Sequence, residues 1–109
     1  MKLVFAIVSN DDGNIVLKEL NKAGFSVTKM ASTGGFLRAG NTTLLVGTEE
    51  EKVQTAVDVI SKYSAKRKQV VFSPDPYIAG ASGYTSFPAE VEVGGATIFV
   101  VDVERFEKV

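Results

Sequence analysis

The chain has 109 residues, with 12 Lys+Arg against 13 Asp+Glu, and it contains no Cys, His or Trp. This length fits one compact domain, and a hydrophobic fraction of 45% is ordinary for a globular protein. The missing Cys and His exclude disulfides, thiolate nucleophiles, Ser-His-Asp triads and His-ligated metal sites. A formal net charge of −1 disfavours nucleic-acid binding, which depends on a surplus of Lys and Arg.

The first part of the chain predicts a strand followed by a helix. Residues 3–8 (LVFAIV) form a continuous apolar run with the length of a buried strand. The cluster at 10–12 (NDD) favours a helix N-terminus, and Gly24 suits the end of a helix. Apolar residues recur at helical spacing between these two signals, so we expect a helix there.

A β-hairpin is predicted next. Phe25, Val27 and Ala31 alternate with Ser26, Thr28 and Ser32, which is a strand pattern. Residues 41–47 (NTTLLVG) are rich in strand formers. The short separation between the two segments favours antiparallel pairing. The tip of this hairpin, residues 33–41 (TGGFLRAGN), is rich in glycine.

A second helix and another strand follow the hairpin. Thr48 lies three residues before Glu51, which is a capping-box pattern that predicts the start of a helix. Residues 53–60 then carry one apolar stripe, and residues 69–72 predict a strand.

The end of the chain predicts a C-terminal hairpin. Strands at 90–93 and 97–103 are joined by Gly94-Gly95, which suits a two-residue turn. The order is therefore β-α-β-β-α-β with a C-terminal hairpin, an α+β, ferredoxin-like plan with both helices on one face of the sheet. Because several strands alternate, the other face also remains hydrophobic, and we expect oligomerisation to cover it.

Residues 73–88 (SPDPYIAGASGYTSFP) predict a second long loop. This loop holds all three prolines and the aromatic residues Tyr77, Tyr84 and Phe87. Structureless segments of this length within a compact domain are usually functional or disordered, and disordered segments are usually poor in aromatics. We expect a long, flexible, functional loop.

The glycine-rich tip has the groups of a ligand-binding loop. Gly34-Gly35 allows backbone N–H donors to approach a ligand, and Phe36 beside it suits stacking on a planar base. Asn41 supplies an amide for an adenine edge, and Thr28 supplies a hydroxyl. The same residues also fit a simple turn, with Phe36 and the following leucine packed in a subunit interface. Spacing alone leaves both interpretations open.

Several segments spread over essentially the whole chain carry a family resemblance: 1–8 (MKLVFAIV), 27–29 (VTK), 33–38 (TGGFLR), 40–43 (GNTT), Gly47 and 94–100 (GGATIFV). With these segments the chain resembles the PII-like cyclic di-AMP receptor family.

The resemblance implies a homotrimer of single PII-like domains spanning 1–109, with a short loop at 33–41 and a long flexible loop at 73–88. It implies a non-enzymatic receptor that binds the second messenger cyclic di-AMP at subunit interfaces, without cofactor, metal or catalytic residue. The long loop would change conformation on binding and act on a downstream protein. The implied ligand-binding residues are Thr28, Gly35, Phe36, Leu37, Asn41, Gly47 and Phe99.

One position departs from the family pattern. Ser26 stands where relatives are expected to carry an Arg that reaches toward the ligand. A charge-assisted hydrogen bond contributes about 1.5–3 kcal/mol, so its loss weakens phosphate contacts. Lys29, Arg38 or Lys108 are the cations that can replace it.

Two other function classes are open on the sequence. A single-stranded RNA-binding ferredoxin-like module is the alternative, although no aromatic-rich, basic strand of that type is present. An enzyme would depend on groups such as Asp75 and Tyr77, which nothing in the sequence orients. The N-terminal apolar run is too short for a membrane span or a signal peptide, so we expect a cytoplasmic protein.

Overall fold

The computed structural model describes residues 1–32, 40–73 and 87–109. The elements are β1 (Lys2–Ser9), α1 (Asn10–Lys22), β2 (Val27–Ser32), β3 (Asn41–Thr48), α2 (Glu50–Ser64), β4 (Arg67–Ser73), β5 (Phe87–Val93) and β6 (Ala96–Asp102). The chain therefore begins in the predicted β-α-β-β-α-β order, and the α+β class is confirmed. Of the helices in these ranges, neither has the length and apolar character needed to span a bilayer.

Four strands form an antiparallel sheet in the order β2-β3-β1-β6. The predicted first hairpin is confirmed, because β2 pairs with β3 from Val27–Val46 to Ser32–Asn41. The strand β1 lies at the centre and pairs with β3 on one side and with β6 on the other. Both helices pack on one face of this sheet and against each other.

Alternation along the strands divides the sheet into a buried face and an open face. On β1, Val4, Ala6 and Val8 are fully buried under the helices, whereas the residues between them are only half-buried. The helices complete the core with Val16, Leu20, Ala56 and Ile60. Burial of each large aliphatic side chain contributes about 1.5–3 kcal/mol, which fixes the register of β1. We call the sheet face away from the helices the open face.

The predicted C-terminal hairpin is wrong in its pairing. The strands are present, but β5 pairs with β4 in a separate two-stranded sheet, while β6 pairs with β1. The physical reason lies in the residues available for burial. The apolar run 98–101 (IFVV) lies beside the apolar β1, and Ile98 packs against the core. In contrast, β5 presents Glu90 and Glu92, which gain nothing from a place in the main sheet.

Gly94-Gly95 forms a corner between the two sheets. Both residues have positive φ, +83° and +93°, which favours glycine. The Gly95 N–H donates to the carbonyl oxygen of Ser64 at the end of α2. A Cβ on Gly94 would lie 2.7 Å from the carbonyl oxygen of Ala65. Glycine is therefore required at both positions, because the chain here has positive φ and passes close to the backbone at the C-terminal end of α2.

The predicted capping box at the start of α2 is also wrong. The N-cap is Glu49, which makes no side-chain capping hydrogen bond. Thr48 instead remains in β3, paired with Lys2 and buried on the helix-covered face. Sheet pairing of Thr48 thus takes precedence over local capping.

The ends of α1 that the sequence predicts lie within one or two residues of the observed ends. The N-cap is Ser9, one residue before the predicted cluster, and its Oγ accepts a hydrogen bond from the Asp11 N–H at 3.4 Å. The helix stop at Gly24 is confirmed, with φ +94° and its N–H donating to the Asn21 carbonyl oxygen at 3.0 Å.

The two predicted loops fall mostly outside the described residues, at 33–39 and 74–86. The predicted bounds of both loops extend into strands, because Asn41 is the first residue of β3 and Ser73 is the last residue of β4. Phe87 and Pro88 likewise belong to β5. Asp75, Tyr77 and Tyr84 lie outside the described ranges, and the flexibility of the long loop stays a prediction.

An exposed ion pair joins the first residue of β1 to the last residue of β6. The Lys2 ammonium donates to the Asp102 carboxylate. This hydrogen bond lowers the pKa of Asp102 below its ordinary value and raises the pKa of Lys2. A carboxylate with a lowered folded-state pKa stabilises the protein above its ordinary pKa and loses this contribution as the pH falls through the folded value.

We expect Gly94→Ala to lower the free energy of unfolding by about 1–3 kcal/mol, because an L side chain at this φ is strained and meets a backbone oxygen. Urea unfolding measures the change. Gly47→Ala is the matched control, since among the described residues only Met1 Sδ, at 3.9 Å, lies near its Cβ position. The control should shift stability by less than about 0.5 kcal/mol. Equal losses in both variants would contradict the role of the corner.

We expect Asp102→Asn to lower the melting temperature slightly at pH 7, because solvent screening weakens an exposed ion pair. The difference from wild type should shrink as the pH falls below the ordinary Asp pKa of about 3.9 and the carboxylate becomes protonated. Thermal unfolding followed from pH 7 to pH 2 measures this. A difference that stays constant over the whole range would show that the pair does not titrate as proposed.

Candidate functional site

Four of the predicted ligand-binding residues, Thr28, Asn41, Gly47 and Phe99, lie in described strands. The other three, Gly35, Phe36 and Leu37, lie outside the described residues. All four described positions belong to the open face. Asn41 and Gly47 alternate along β3 with residues buried under the helices, and Thr28 and Phe99 pair with residues that point away from the helices. The open face is therefore the candidate ligand-binding surface.

One row of residues crosses the open face from edge to edge. Thr28 pairs with Leu45, Leu45 pairs with Phe5, and Phe5 pairs with Phe99. Thr28 lies on one outer strand and Phe99 on the other, so three strand spacings, about 14 Å, separate them. Phe99 is 46% exposed. A single chain therefore does not bring Phe99 into contact with Thr28.

A cavity of about 520 Å³ lies at one end of the open face. The ends of the strands form one side, and the segment after β6 forms the other. We call it the tail-side cavity, and its lining residues are Met1, Leu3, Ser26, Thr28, Leu45, Gly47, Val103, Phe106, Glu107 and Lys108. Two predicted site residues, Thr28 and Gly47, thus share one cavity.

The C-terminal segment is held against the start of the chain. The Val103 N–H donates to the Met1 carbonyl oxygen at 3.2 Å, which continues the contact between β6 and β1. Phe106 is 62% exposed although it borders the cavity. It therefore offers an aromatic surface to a molecule in the cavity.

The structure distinguishes between the cations expected to replace the missing Arg. Ser26 lines the tail-side cavity, and Lys108 lines the same cavity. Lys29 lies on the other face of the sheet, where its Nζ donates to Asn14 Oδ1 at 2.9 Å. Arg38 lies outside the described residues. Lys108 is therefore the replacement that the described residues support.

Asn41 lies at the opposite end of the open face. It pairs with Ser9 and Ser32, and only 3% of its surface is exposed. Along β3 it is about 20 Å from Gly47, at roughly 3.3 Å per residue. The chain by itself does not place Asn41 in the tail-side cavity.

Sequence reasoning missed most of the cavity wall. Leu3 and Leu45 were interpreted only as strand residues, and Phe106 and Glu107 were not singled out. The one available signal was Phe106, a large aromatic within the otherwise polar segment 104–108 (ERFEK). Its position beside Thr28 depends on how the chain turns after β6.

The chain is similar to known proteins in both sequence and structure. The sequence model of a family described as "Cyclic-di-AMP receptor" matches residues 1–109, the whole chain. A solved structure of a functionally unknown protein from Pediococcus pentosaceus is also similar. It has 38% sequence identity and a TM-score of 0.77, and the alignment covers 99% of this chain and 96% of that one. The likeness therefore extends over both sheets and helices.

Proposed function

The chain belongs to the cyclic-di-AMP receptor family, and we propose that it is a signal-transduction receptor that binds cyclic di-AMP on the open face, between subunits. The observation that supports this site is the tail-side cavity, in which Thr28 and Gly47 lie together with a cation, Lys108. Thr28 and Gly47 lie on the paired strands β2 and β3, and Lys108 lies in the segment after β6.

The lining of the cavity suits a nucleotide. Leu3 and Leu45 provide apolar walls for a base, and the Thr28 hydroxyl can both donate and accept a hydrogen bond. Lys108 provides an ammonium for a phosphate, in place of the Arg expected at position 26. Gly47 has no side chain, so a ligand can approach the backbone of β3. These groups favour reversible binding of the ligand over its chemical conversion.

We propose that the complete site needs a second subunit. Phe99 lies about 14 Å from Thr28 across the sheet, so Phe99 of a neighbouring subunit is the better candidate to meet the ligand. The open face also exposes Met30 and Val101, which are 50% and 42% accessible in the single chain. Contact between subunits would bury these side chains and complete the site in one step.

The proposed assembly is a cyclic homotrimer, as the family resemblance implies. A head-to-tail contact joins two different surfaces, and such contacts generate a closed ring when the rotation between neighbouring subunits closes. In this arrangement the β6 side of one open face meets the β2 side of the next. Each ring of three subunits then contains three equivalent ligand sites.

We further propose that ligand binding changes the conformation of the long loop at 73–88. The altered surface would engage or release a downstream protein, without an enzymatic step. The length of this loop and its aromatic residues support this role.

Single-stranded RNA is the second candidate ligand. Phe5 and Phe99 are direct neighbours on the open face, and sheet-face aromatics of this kind stack on bases in RNA-binding modules. The net charge of −1 opposes binding of a long polyanion. We therefore rank it below the cyclic dinucleotide.

Calorimetric titration tests the ligand directly. We expect cyclic di-AMP to bind, with weaker or no binding of cyclic di-GMP, ATP and poly(A). Thr28→Val removes one hydroxyl at constant shape and should weaken binding about 2- to 10-fold. Lys108→Gln should weaken it about tenfold or more, because it removes a charged donor.

Lys62→Gln is the matched control for Lys108→Gln, since Lys62 lies on α2, behind the sheet from the open face. It should bind as wild type does. If the wild-type protein gives no heat with cyclic di-AMP, the proposed ligand is wrong. If poly(A) binds more tightly than the dinucleotide, the RNA alternative takes its place.

Sedimentation tests the assembly. We expect a species of three chains, each of 11.7 kDa. Phe99→Glu places a charge within the proposed interface and should yield monomers. Ile15→Glu is the control, because Ile15 on α1 is 45% exposed, almost as Phe99 is at 46%, yet it lies on the helix side. A monomeric wild type, or dissociation caused equally by both variants, would contradict the proposed interface.

A further inference from the structure

The first turn of α1, residues 10–13, contacts the start of β3. The Thr42 hydroxyl donates to Asn10 Oδ1 at 2.8 Å, and the Asn10 N–H donates to the Gly40 carbonyl oxygen at 3.3 Å. Gly40 and Thr42 are the two neighbours of Asn41. This turn therefore holds the backbone on both sides of a proposed ligand-binding residue.

The contact between this turn and β3 is close. A Cβ on Gly13 would lie 2.9 Å from Thr42 Oγ1 and 3.0 Å from two carbons of the same side chain. The packing leaves no room for a methyl group, so a shift of Thr42 has to move the turn as well.

The same turn contacts the start of β4 through an ion pair. Asp12 Oδ1 lies 2.8 Å from Arg67 Nη2, and Asp12 Oδ2 lies 3.2 Å from Arg67 Nη1. Asp12 is only 4% exposed, and its hydrogen bonds to the guanidinium raise the pKa of Arg67. The Arg67 side chain, in contrast, is 48% exposed. Two-point pairs of this kind have strict geometry, so a displaced Asp12 disturbs Arg67. Sequence reasoning assigned Asp12 only to the helix start.

Arg67 begins the β4–β5 ribbon, the two-stranded sheet of 67–73 and 87–93. An isolated pair of strands is marginally stable in water. The described bonds from the ribbon and its corner to the rest of the chain lie at its base. They join Arg67 to Asp12 and to the Ala65 carbonyl oxygen, Gly95 to Ser64, and Glu92 to the Lys66 ammonium at 3.8 Å. The order of the ribbon therefore depends on how firmly its base is held.

We propose that residues 10–13 couple the start of β3 to the β4–β5 ribbon. A ligand that holds Asn41 also holds Gly40 and Thr42, and through Asn10 and Asp12 it tightens the contact with Arg67. The ribbon, which leads into the long loop, then becomes more ordered. The proposal rests on the proposed function only where it assigns Asn41 to the ligand, since the contacts themselves need no ligand.

The coupling has a reciprocal consequence. If ligand binding stabilises the ribbon by some factor, loss of the Asp12–Arg67 pair must weaken ligand binding by the corresponding factor. Coupling between sites typically amounts to between about fivefold and 150-fold in affinity. A contact far from the ligand thus acquires a measurable effect on binding.

Amide hydrogen exchange tests the coupling without ligand. We compare Asn10→Ala, which removes the contact with Thr42, with Lys22→Gln, which removes an ion pair with Glu19 (3.3 Å) at the other end of α1. In the free protein, Asn10→Ala should speed exchange in the ribbon at least about twofold, and Lys22→Gln should not change it. Amides of β1 serve as the reference for an intact core. Unchanged ribbon exchange in Asn10→Ala would overturn the proposal, whatever the ligand.

The ligand-bound protein supplies the second measurement. In the wild type, saturating cyclic di-AMP should slow exchange in the ribbon at least about fivefold. In Arg67→Gln this slowing should fall below about twofold, while calorimetry still detects binding of reduced affinity. Arg67→Lys, which keeps the charge and loses the two-point geometry, serves if the Gln variant does not fold.

The outcomes separate the two proposals. If calorimetry detects no binding of cyclic di-AMP to the wild type, the proposed function fails, and the ligand-free comparison alone decides the coupling. If the dinucleotide binds but leaves ribbon exchange unchanged, the proposed function stands and the coupling is wrong. Equal slowing in wild type and Arg67→Gln would likewise overturn it.

Discussion

The pairing of β6 with β1 is the constraint on which the rest of this structure depends. The apolar run of β1 is buried on one face by the helices, and both of its edges need hydrogen-bonding partners. One edge pairs with β3 and the other with β6, which brings an apolar sequence of its own. Burial and backbone hydrogen bonding are satisfied together by this choice.

Two consequences follow from that pairing. The segment after β6 passes along the end of the open face, so Phe106 and Lys108 meet Thr28 in the tail-side cavity. The strand β4, which in a simple ferredoxin-like order would occupy the place of β6, is left to pair with β5 outside the main sheet. The pairing of β6 with β1 therefore accounts for both the tail-side cavity and the separate β4–β5 ribbon.

The distribution of groups on the open face is the basis for our proposal that the ligand site needs a second subunit. Thr28 and Gly47 lie in the cavity, Asn41 lies at the far end of the same strands, and Phe99 lies on the opposite edge. A rigid sheet keeps these distances, because its register is set by the buried face. In the proposed assembly, a neighbouring subunit brings the missing groups to the ligand.

Local sequence chemistry determined most elements of this protein and some of its ends. The run 3–8, the alternation in 25–32 and the stop at Gly24 each reflect a preference of nearby residues, and the structure agrees with them. The capping box at Thr48 was wrong because the sheet retains that residue. Thr28 was predicted from its place across the hairpin as well as from family resemblance, and Gly47 from the resemblance alone. Folding places both in one cavity.

Only the tertiary structure decided the pairing partners of β4, β5 and β6. Gly94-Gly95 looks locally like a hairpin turn, yet two glycines permit a corner equally well, and local preference cannot distinguish them. The difference lies in burial gained far along the chain, where β6 packs beside β1. The same long-range burial places Lys108 near Ser26 and joins Asp12 to Arg67. Periodicity and turn chemistry thus established the elements, whereas competition for buried surface established their arrangement.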